Sequence, residues 1–374
     1  MTNTDTIAEA PQDSAAAVAH AEAAAALFAK IREGIGRVIF GQHDVIDQVL
    51  ITLLAGGHGL LIGVPGLAKT RLVETLGIVL GLDWKRIQFT PDLMPADIIG
   101  SEVLEEDDVR KRSFRFLPGP VFAQLLMADE INRASPRTQS ALLQAMQEKH
   151  VTVAGQRYDL PRPFHVLATQ NPLEQEGTYP LPEAQLDRFL LQIDISYPDI
   201  DAERRMLVST TFGEEAAAKP IATPDSLMAA QHVVRHLPVG EKVVDAILRL
   251  VRAARPNEGG AADLKGYIAW GPGPRASQAF MLAVRAKALI DGRLAPSVDD
   301  VVALAHEEML RLRRLPPIDG SRRVFGLIAA ELPEGLADAG FPAPMHAEAD
   351  GRCQTLCRNE QRRQSRSKRF RLFA

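Results

Sequence analysis

The sequence predicts an α/β protein built on a parallel five-stranded sheet and followed by an all-helical domain. Three observations predict it. Short apolar runs, His58–Ile62, Arg86–Phe89, Leu125–Ala128, Phe164–Ala168 and Phe189–Ile193, alternate with helical patterns through the first two hundred residues, as parallel strands joined by helical crossovers do. The runs are continuously apolar, which suits strands covered by helices on both faces. Beyond Pro198 the periodicity is helical only.

Taken in order, residues 1–26 read as a disordered leader with a helix after it. The alanine-rich stretch from 15 to 29 is not an export signal, because no positive region precedes it and His20 and Glu22 interrupt it. An α/β domain is expected over 27–197. Its most apolar stretch, Val49–Val64, is broken by Thr52, Gly56, Gly57, His58 and Gly59 and stops at Pro65, so no membrane insertion is expected. Ser135-Pro136 reads as an N-cap with proline at N1, opening a helix through Glu148 with Leu142, Leu143 and Met146 on one face. Val151–Arg162, within a segment at about 150–163, reads as a β-hairpin around a Gly155-Gln156 turn.

A linker is expected over 198–223, centred on the Gly/Glu/Ala/Pro-rich stretch from Gly213 to Pro224. The helical domain then runs over 224–314. Val243, Val244, Ile247, Leu250 and Val251 share one helix face, Arg275–Ile290 forms a second helix, and Val298–Leu312 a third, with Ser297 as N-cap. Residues 315–374 read as a poorly ordered basic tail; Arg358–Ala374 holds seven basic residues against one acidic.

With 374 residues, 46% of them hydrophobic, the chain has room for two cores. Its 43 basic and 47 acidic residues leave a net charge of −4, so no overall basic field draws it to nucleic acid. Cys353 and Cys357, the only cysteines, lie too close together to staple a fold, which fits a reducing cytoplasm. His43, His58, His150 and His165 lack ligand spacing, and no structural zinc is expected.

The first strand runs into Gly63-Val64-Pro65-Gly66-Leu67-Ala68-Lys69-Thr70, and a helical pattern follows from Arg71 to Leu80. Strand, glycine-rich loop and helix are the context of a phosphate-binding Walker A loop. Backbone N–H groups and the helix N-terminus cradle phosphates there, Lys69 adds a point charge, and the Thr70 hydroxyl is a ligand for Mg²⁺. Ala68 stands where the general pattern has glycine. Leu125–Ala128 leads directly into Asp129-Glu130, two acids at the end of a buried strand. As a Walker B pair, Asp129 would hold Mg²⁺ and Glu130 would polarise the attacking water; otherwise both cap the following helix. Ala168-Thr169-Gln170-Asn171-Pro172 ends the next strand. Asn171 fits a role at the γ-phosphate or in orienting water, and Asn-Pro is equally an ordinary turn.

With Ala-Asp-Glu-Ile-Asn-Arg at 128–133, Pro-Glu-Ala-Gln-Leu-Asp-Arg-Phe at 182–189 and Gly-Pro-Arg-Ala at 273–276, these motifs resemble the MoxR family of AAA+ ATPases. The resemblance covers roughly residues 27 to 310 and includes the alanine at 68. It implies an AAA+ P-loop core with a helical lid, assembled as a six-membered ring with ATP and Mg²⁺ between neighbouring subunits. Asn171 then matches sensor 1, Arg188 the arginine finger and Arg275 sensor 2. Val38-Ile39-Phe40-Gly41-Gln42 matches the segment lining the adenine pocket, Asp97–Pro118 the helix-2 insert, and Val151–Arg162 the pre-sensor hairpin. Read alone, Arg188 fits an ion pair with Asp187 or Glu183 equally well, and Arg275 fits a role in its own subunit or in a neighbour.

The resemblance further implies a cytoplasmic homo-oligomeric chaperone that remodels or matures client proteins or metalloenzyme complexes, with a von Willebrand factor A domain protein as adaptor. A helicase-like motor on nucleic acid and a chelatase-type metal-insertion subunit are the alternatives. The family pattern stops after Met309-Leu310, where Pro316-Pro317 and arginine-rich sequence follow; a shifted reading frame near residue 310 would produce such a break.

Overall fold

The computed structural model describes residues 14–106, 112–174, 177–212, 217–255 and 272–308. The strands in chain order are β1 (Gly59–Ile62), β2 (Trp84–Gln88), β3 (Gly100–Glu106), β4 (Arg112–Pro118), β5 (Leu125–Asp129), β6 (His150–Val153), β7 (Gln156–Asp159), β8 (His165–Gln170) and β9 (Leu191–Asp194). The five apolar runs become one parallel sheet of order β2-β5-β8-β1-β9. Central β5 is buried along its whole length, as continuous apolarity demands. Edge strand β2 instead exposes Lys85 and Arg86, so in the run expected from Arg86 only Ile87 and Phe89 are apolar and buried.

Helices α1 (Ser14–Gly36), α2 (His43–Leu54), α3 (Lys69–Leu80), α4 (Pro95–Ile99), α5 (Pro136–Glu148) and α6 (Glu183–Leu186) belong to the same region. Leu60, Leu126, Ala128, Val166 and Ala168 point from one sheet face into a core shared with Leu142, Leu143 and Met146 of α5 and Ile98 of α4. Alternate residues Leu61, Met127 and Leu167 are buried on the other face, where α2 and α3 touch the sheet. Ser135 caps α5 by accepting the Thr138 N–H, with proline at N1 as expected.

Three expectations change. Residues 14–26, read as a disordered leader, are the first half of α1. Ala21, Ala24, Phe28, Ile31 and Ile35 are buried at helical spacing, because alanine favours helix and its small side chain allows close packing. The span 198–223, read as a linker, contains helix α7 (Ile200–Phe212). In the hairpin β6–β7, Val153 pairs with Gln156, so the two turn residues are Ala154 and Gly155, both at positive φ (48° and 82°), and not Gly155-Gln156.

The region of the expected helix-2 insert is α4 followed by the antiparallel hairpin β3–β4, whose Leu104 and Phe114 pair directly and are both exposed. Phe116 of β4 stacks on Tyr158 of β7, with ring centroids 4.0 Å apart, and so ties the two hairpins together.

Four helices complete the described chain: α8 (Pro224–His236), α9 (Glu241–Ala253), α10 (Pro274–Ile290) and α11 (Val298–Glu308). They pack on one another and against α1, α2 and β9. Val243, Ile247, Leu250 and Val251 form the buried face of α9, while Val244 is only half-buried. Between α10 and α11 the buried Asp300 accepts two guanidinium bonds from Arg293 and the backbone N–H of Ser297. Burial opposes ionisation of Asp300, yet these bonds hold its pKa below the usual aspartate value. No helix among the described residues is long and apolar enough to cross a membrane. The basic tail, both cysteines and the end expected at Leu312 lie outside the described residues.

Candidate functional site

The parallel sheet brings three strand ends together. Ile62 of β1 is in register with Gln170 of β8, and Asp129 of β5 with Gln88 of β2, so the loop after β1, the acids after β5 and Asn171 after β8 share one edge. Carboxyl ends of parallel strands are where α/β sheets collect ligands.

Residues Gly63–Thr70 turn from β1 into α3. Ala68, the N-cap of α3, sits at φ 55° and ψ 24°, a left-handed conformation that glycine adopts freely and alanine at a cost of about 1 kcal/mol. The alanine thus keeps the backbone shape that the general pattern assigns to glycine. Lys69 donates from Nζ to Gly63 O at 2.5 Å. Burial lowers its pKa, while the charges of Asp129, Glu130 and Glu174 act the other way. Lysine and acids therefore feel one another across the site.

Asp129 is 8% exposed. Its Oδ1 accepts from Thr169 Oγ1 at 2.5 Å, and its Oδ2 accepts from Nε and Nη2 of Arg86 at 3.1 and 2.6 Å. Glu130 follows in a left-handed conformation (φ 55°), which turns its side chain away from the strand direction. Its Oε2 accepts from Gln88 Nε2 at 2.7 Å and Arg133 Nη1 at 2.8 Å, and its N–H donates to Thr169 Oγ1. Thr169 therefore bridges the two acids. Neither acid caps the following turn. Asn171 is buried, and its Oδ1 accepts the Leu173 N–H, so it makes the turn that Asn-Pro suggested while standing at the same sheet edge.

Beside the loop lies a cavity of ≈ 430 Å³ lined by Ile39, Phe40, Pro65, Gly66, Leu67 and Ala68 among others. Gly41 lets this first segment approach α7, because a Cβ there would collide with Ala202. Gln42 donates to Leu67 O across the cavity wall, and its Oε1 has no partner among the described residues. Tyr197, Pro198 and Met206 close the far side. Pro198 and Met206 belong to the span read as a linker, Tyr197 is the residue just before it, and no local pattern marked them. A largely apolar cavity beside the Gly63–Thr70 loop is of a kind that suits a small aromatic ligand.

The oxygen donors present, the Thr70 hydroxyl and the Asp129 carboxylate, are of the hard type Mg²⁺ takes. A guanidinium already held on Asp129 shows that this carboxylate accepts a cation. Arg188, half-buried, and Arg275, exposed in the first turn of α10, do not line the cavity. Among the described residues neither side chain has a hydrogen-bond or ion-pair partner. Sequence reasoning gave no role to Arg86, Gln88, Arg133 or Thr169; Arg133 meets Glu130 three residues back along the chain, while only strand pairing shows what Arg86, Gln88 and Thr169 touch.

Residues 58–191 match the family described as ATPase family associated with various cellular activities (AAA). The chain is 44% identical to Chaperone MoxR1 of Mycobacterium tuberculosis over 269 residues, covering 72% of this chain and 70% of that one. It is 40% identical to protein YeaC of Bacillus subtilis over 280 residues, 75% and 84% of the two chains. A crystal structure from Cytophaga hutchinsonii superposes with a TM-score of 0.78 at 34% identity, covering 86% of this chain and 98% of that one. The chain belongs to the MoxR family of AAA+ ATPases. This MoxR protein carries its loop, its two acids and the cavity on the sheet edge described above.

Proposed function

We infer that the chain hydrolyses ATP to ADP and phosphate as a ring-forming MoxR chaperone, with nucleotide at the interfaces between subunits. The observation that carries this reading is the convergence of Lys69, Asp129 and Glu130 beside the cavity of Ile39 and Phe40. Gly63–Thr70 and the α3 N-terminus cradle the phosphates, and Lys69 leaves Gly63 O to pair with them. Thr70 and Asp129 hold Mg²⁺, which when bound neutralises charge on the phosphates. Glu130 orients and polarises the water, with Asn171 beside it.

Arg188 and Arg275 supply cations. The lack of a partner for either in its own subunit, among the described residues, favours Arg188 reaching a neighbour's site as an arginine finger. Chaperone action is favoured over a nucleic-acid motor by the β6–β7 hairpin. The one aromatic of Val151–Arg162, Tyr158, is spent on Phe116, and of its two cations Arg157 pairs with Asp159, so no stacking platform and only the exposed Arg162 remain for a nucleic-acid backbone.

A von Willebrand factor A domain adaptor and a protein or metalloenzyme client complete the family expectation, in the cytoplasm. The test is ATP turnover by the purified chain with Mg²⁺, repeated with Glu130→Gln. Turnover that survives this substitution overturns the reading; capture of clients by the ATP-loaded Glu130→Gln protein, identified by mass spectrometry, extends it.

A further inference from the structure

Arg86 is not part of any motif that marks this site, yet it holds one of its acids. Nε and Nη2 both donate to Asp129 Oδ2, and Nη2 also donates to Gln88 Oε1 at 2.6 Å. Gln88 in turn donates from Nε2 to Glu130 Oε2. The two acids at the end of β5 are thereby joined through side chains of β2, in the order Asp129, Arg86, Gln88, Glu130. Of the other nearby cations, Lys69 is engaged by Gly63 O and Arg133 by Glu130 Oε2.

A buried carboxylate without a counter-charge is unfavourable, and Arg86 supplies that charge. The arrangement is also reversible. The Arg86 side chain is 44% exposed, and its long stem lets the guanidinium swing into water without uncovering the core. A dication brought to Asp129 repels it.

We propose that Arg86 is a built-in counter-cation of the metal site, seated on Asp129 until Mg²⁺ enters with nucleotide and expelled when it does. This rests on the Mg²⁺–ATP reading above. Expulsion removes the bond that fixes the Gln88 amide, so Gln88 loosens its hold on Glu130. Arg86 is then a positioning residue that makes release of the Gln88 amide from the water-polarising carboxylate conditional on a filled metal site, while Arg133 keeps its own bond to Glu130. Because the two cations compete for one carboxylate, the Arg86 pair must weaken metal affinity by the amount it stabilises the metal-free state.

The full-length chain is saturated with the non-hydrolysable analogue AMP-PNP and titrated with Mn²⁺, a paramagnetic substitute for Mg²⁺ read by electron paramagnetic resonance. Arg86→Met and Arg86→Gln remove the charge and are expected to bind Mn²⁺ about fivefold tighter or more. Arg86→Lys keeps the charge and is expected to stay within about twofold of the wild type. Unchanged or weaker Mn²⁺ binding in the two uncharged variants overturns the proposal, as does loss of their unfolding transition while Arg86→Lys stays folded. Asp129→Asn separates the two readings. If the wild type has no AMP-PNP-dependent Mn²⁺ site that Asp129→Asn abolishes, the Mg²⁺–ATP reading itself fails; if it has one and the Arg86 variants do not tighten it, only the counter-cation fails.

Discussion

Arg133 Nη1 lies 2.8 Å from Glu130 Oε2, three residues back along the chain, so the carboxylate assigned to polarise water rests on a cation and on the Gln88 amide. The two donors compete with a water molecule for that carboxylate oxygen. Arg133→Ala should therefore raise basal ATP turnover at saturating nucleotide by about two- to tenfold, as expected for a general base freed of a donor. Steady-state phosphate release measures this. A fall in turnover would assign Arg133 a direct part in the reaction.

Lys69→Ala should abolish ATP binding, because the loop keeps its backbone N–H groups but loses the charge set against the phosphates. Fluorescent-nucleotide titration measures it. Retained wild-type affinity would mean that the Gly63–Thr70 loop does not hold phosphate.

Glu130→Gln and Arg188→Ala should each be inactive, for different reasons. The first keeps its metal ligands but cannot polarise water; the second leaves its own pocket intact and deprives a neighbour of a cation worth roughly 10³ or more in rate. Mixed under conditions of proven subunit exchange, the two proteins should regain activity at interfaces that pair an intact Glu130 with an intact Arg188. No recovery would sink the shared site.

Stability should fall with acid because of two buried histidines at the other end of the sheet. His58 Nδ1 accepts the Val166 N–H and Nε2 faces Met146 O, while His165 Nδ1 bonds Gly57 O and Nε2 accepts from Gln231 of α8. Burial keeps both rings neutral, pushing His58 down to about 3, with a contribution from His165, and His165 down to about 4. Their unfolded-state value is 6.5. The unfolded chain thus takes up protons that the folded one refuses, so this stability is complete above pH 6.5 and lost as the pH falls towards the folded values. At about pH 5 each ring should account for about 2 kcal/mol of the loss. Thermal midpoints across this range measure it, and His165→Gln should remove roughly half of the pH slope.

Local pattern was enough for the sheet and for the chemical core of the site. Continuous apolarity marks a strand buried on both faces, and Gly63–Thr70 and Asp129-Glu130 are contiguous signals whose meaning depends on the strand before them. Ala21 and Ala24, by contrast, looked like low-complexity leader until α3, α8 and α10 were there to cover them. Tyr197 and Met206 became cavity walls only because α7 folds back over the loop. Arg86 and Gln88 reach Asp129 and Glu130 across 43 and 42 residues of sequence, through the register of β2 against β5. Periodicity reports which face of an element is apolar; it carries nothing about which polar group on a neighbouring element lies opposite. That pairing, and with it the seating of a cation on Asp129, is set by tertiary packing, since a buried charge takes whichever partner the fold brings within hydrogen-bonding distance.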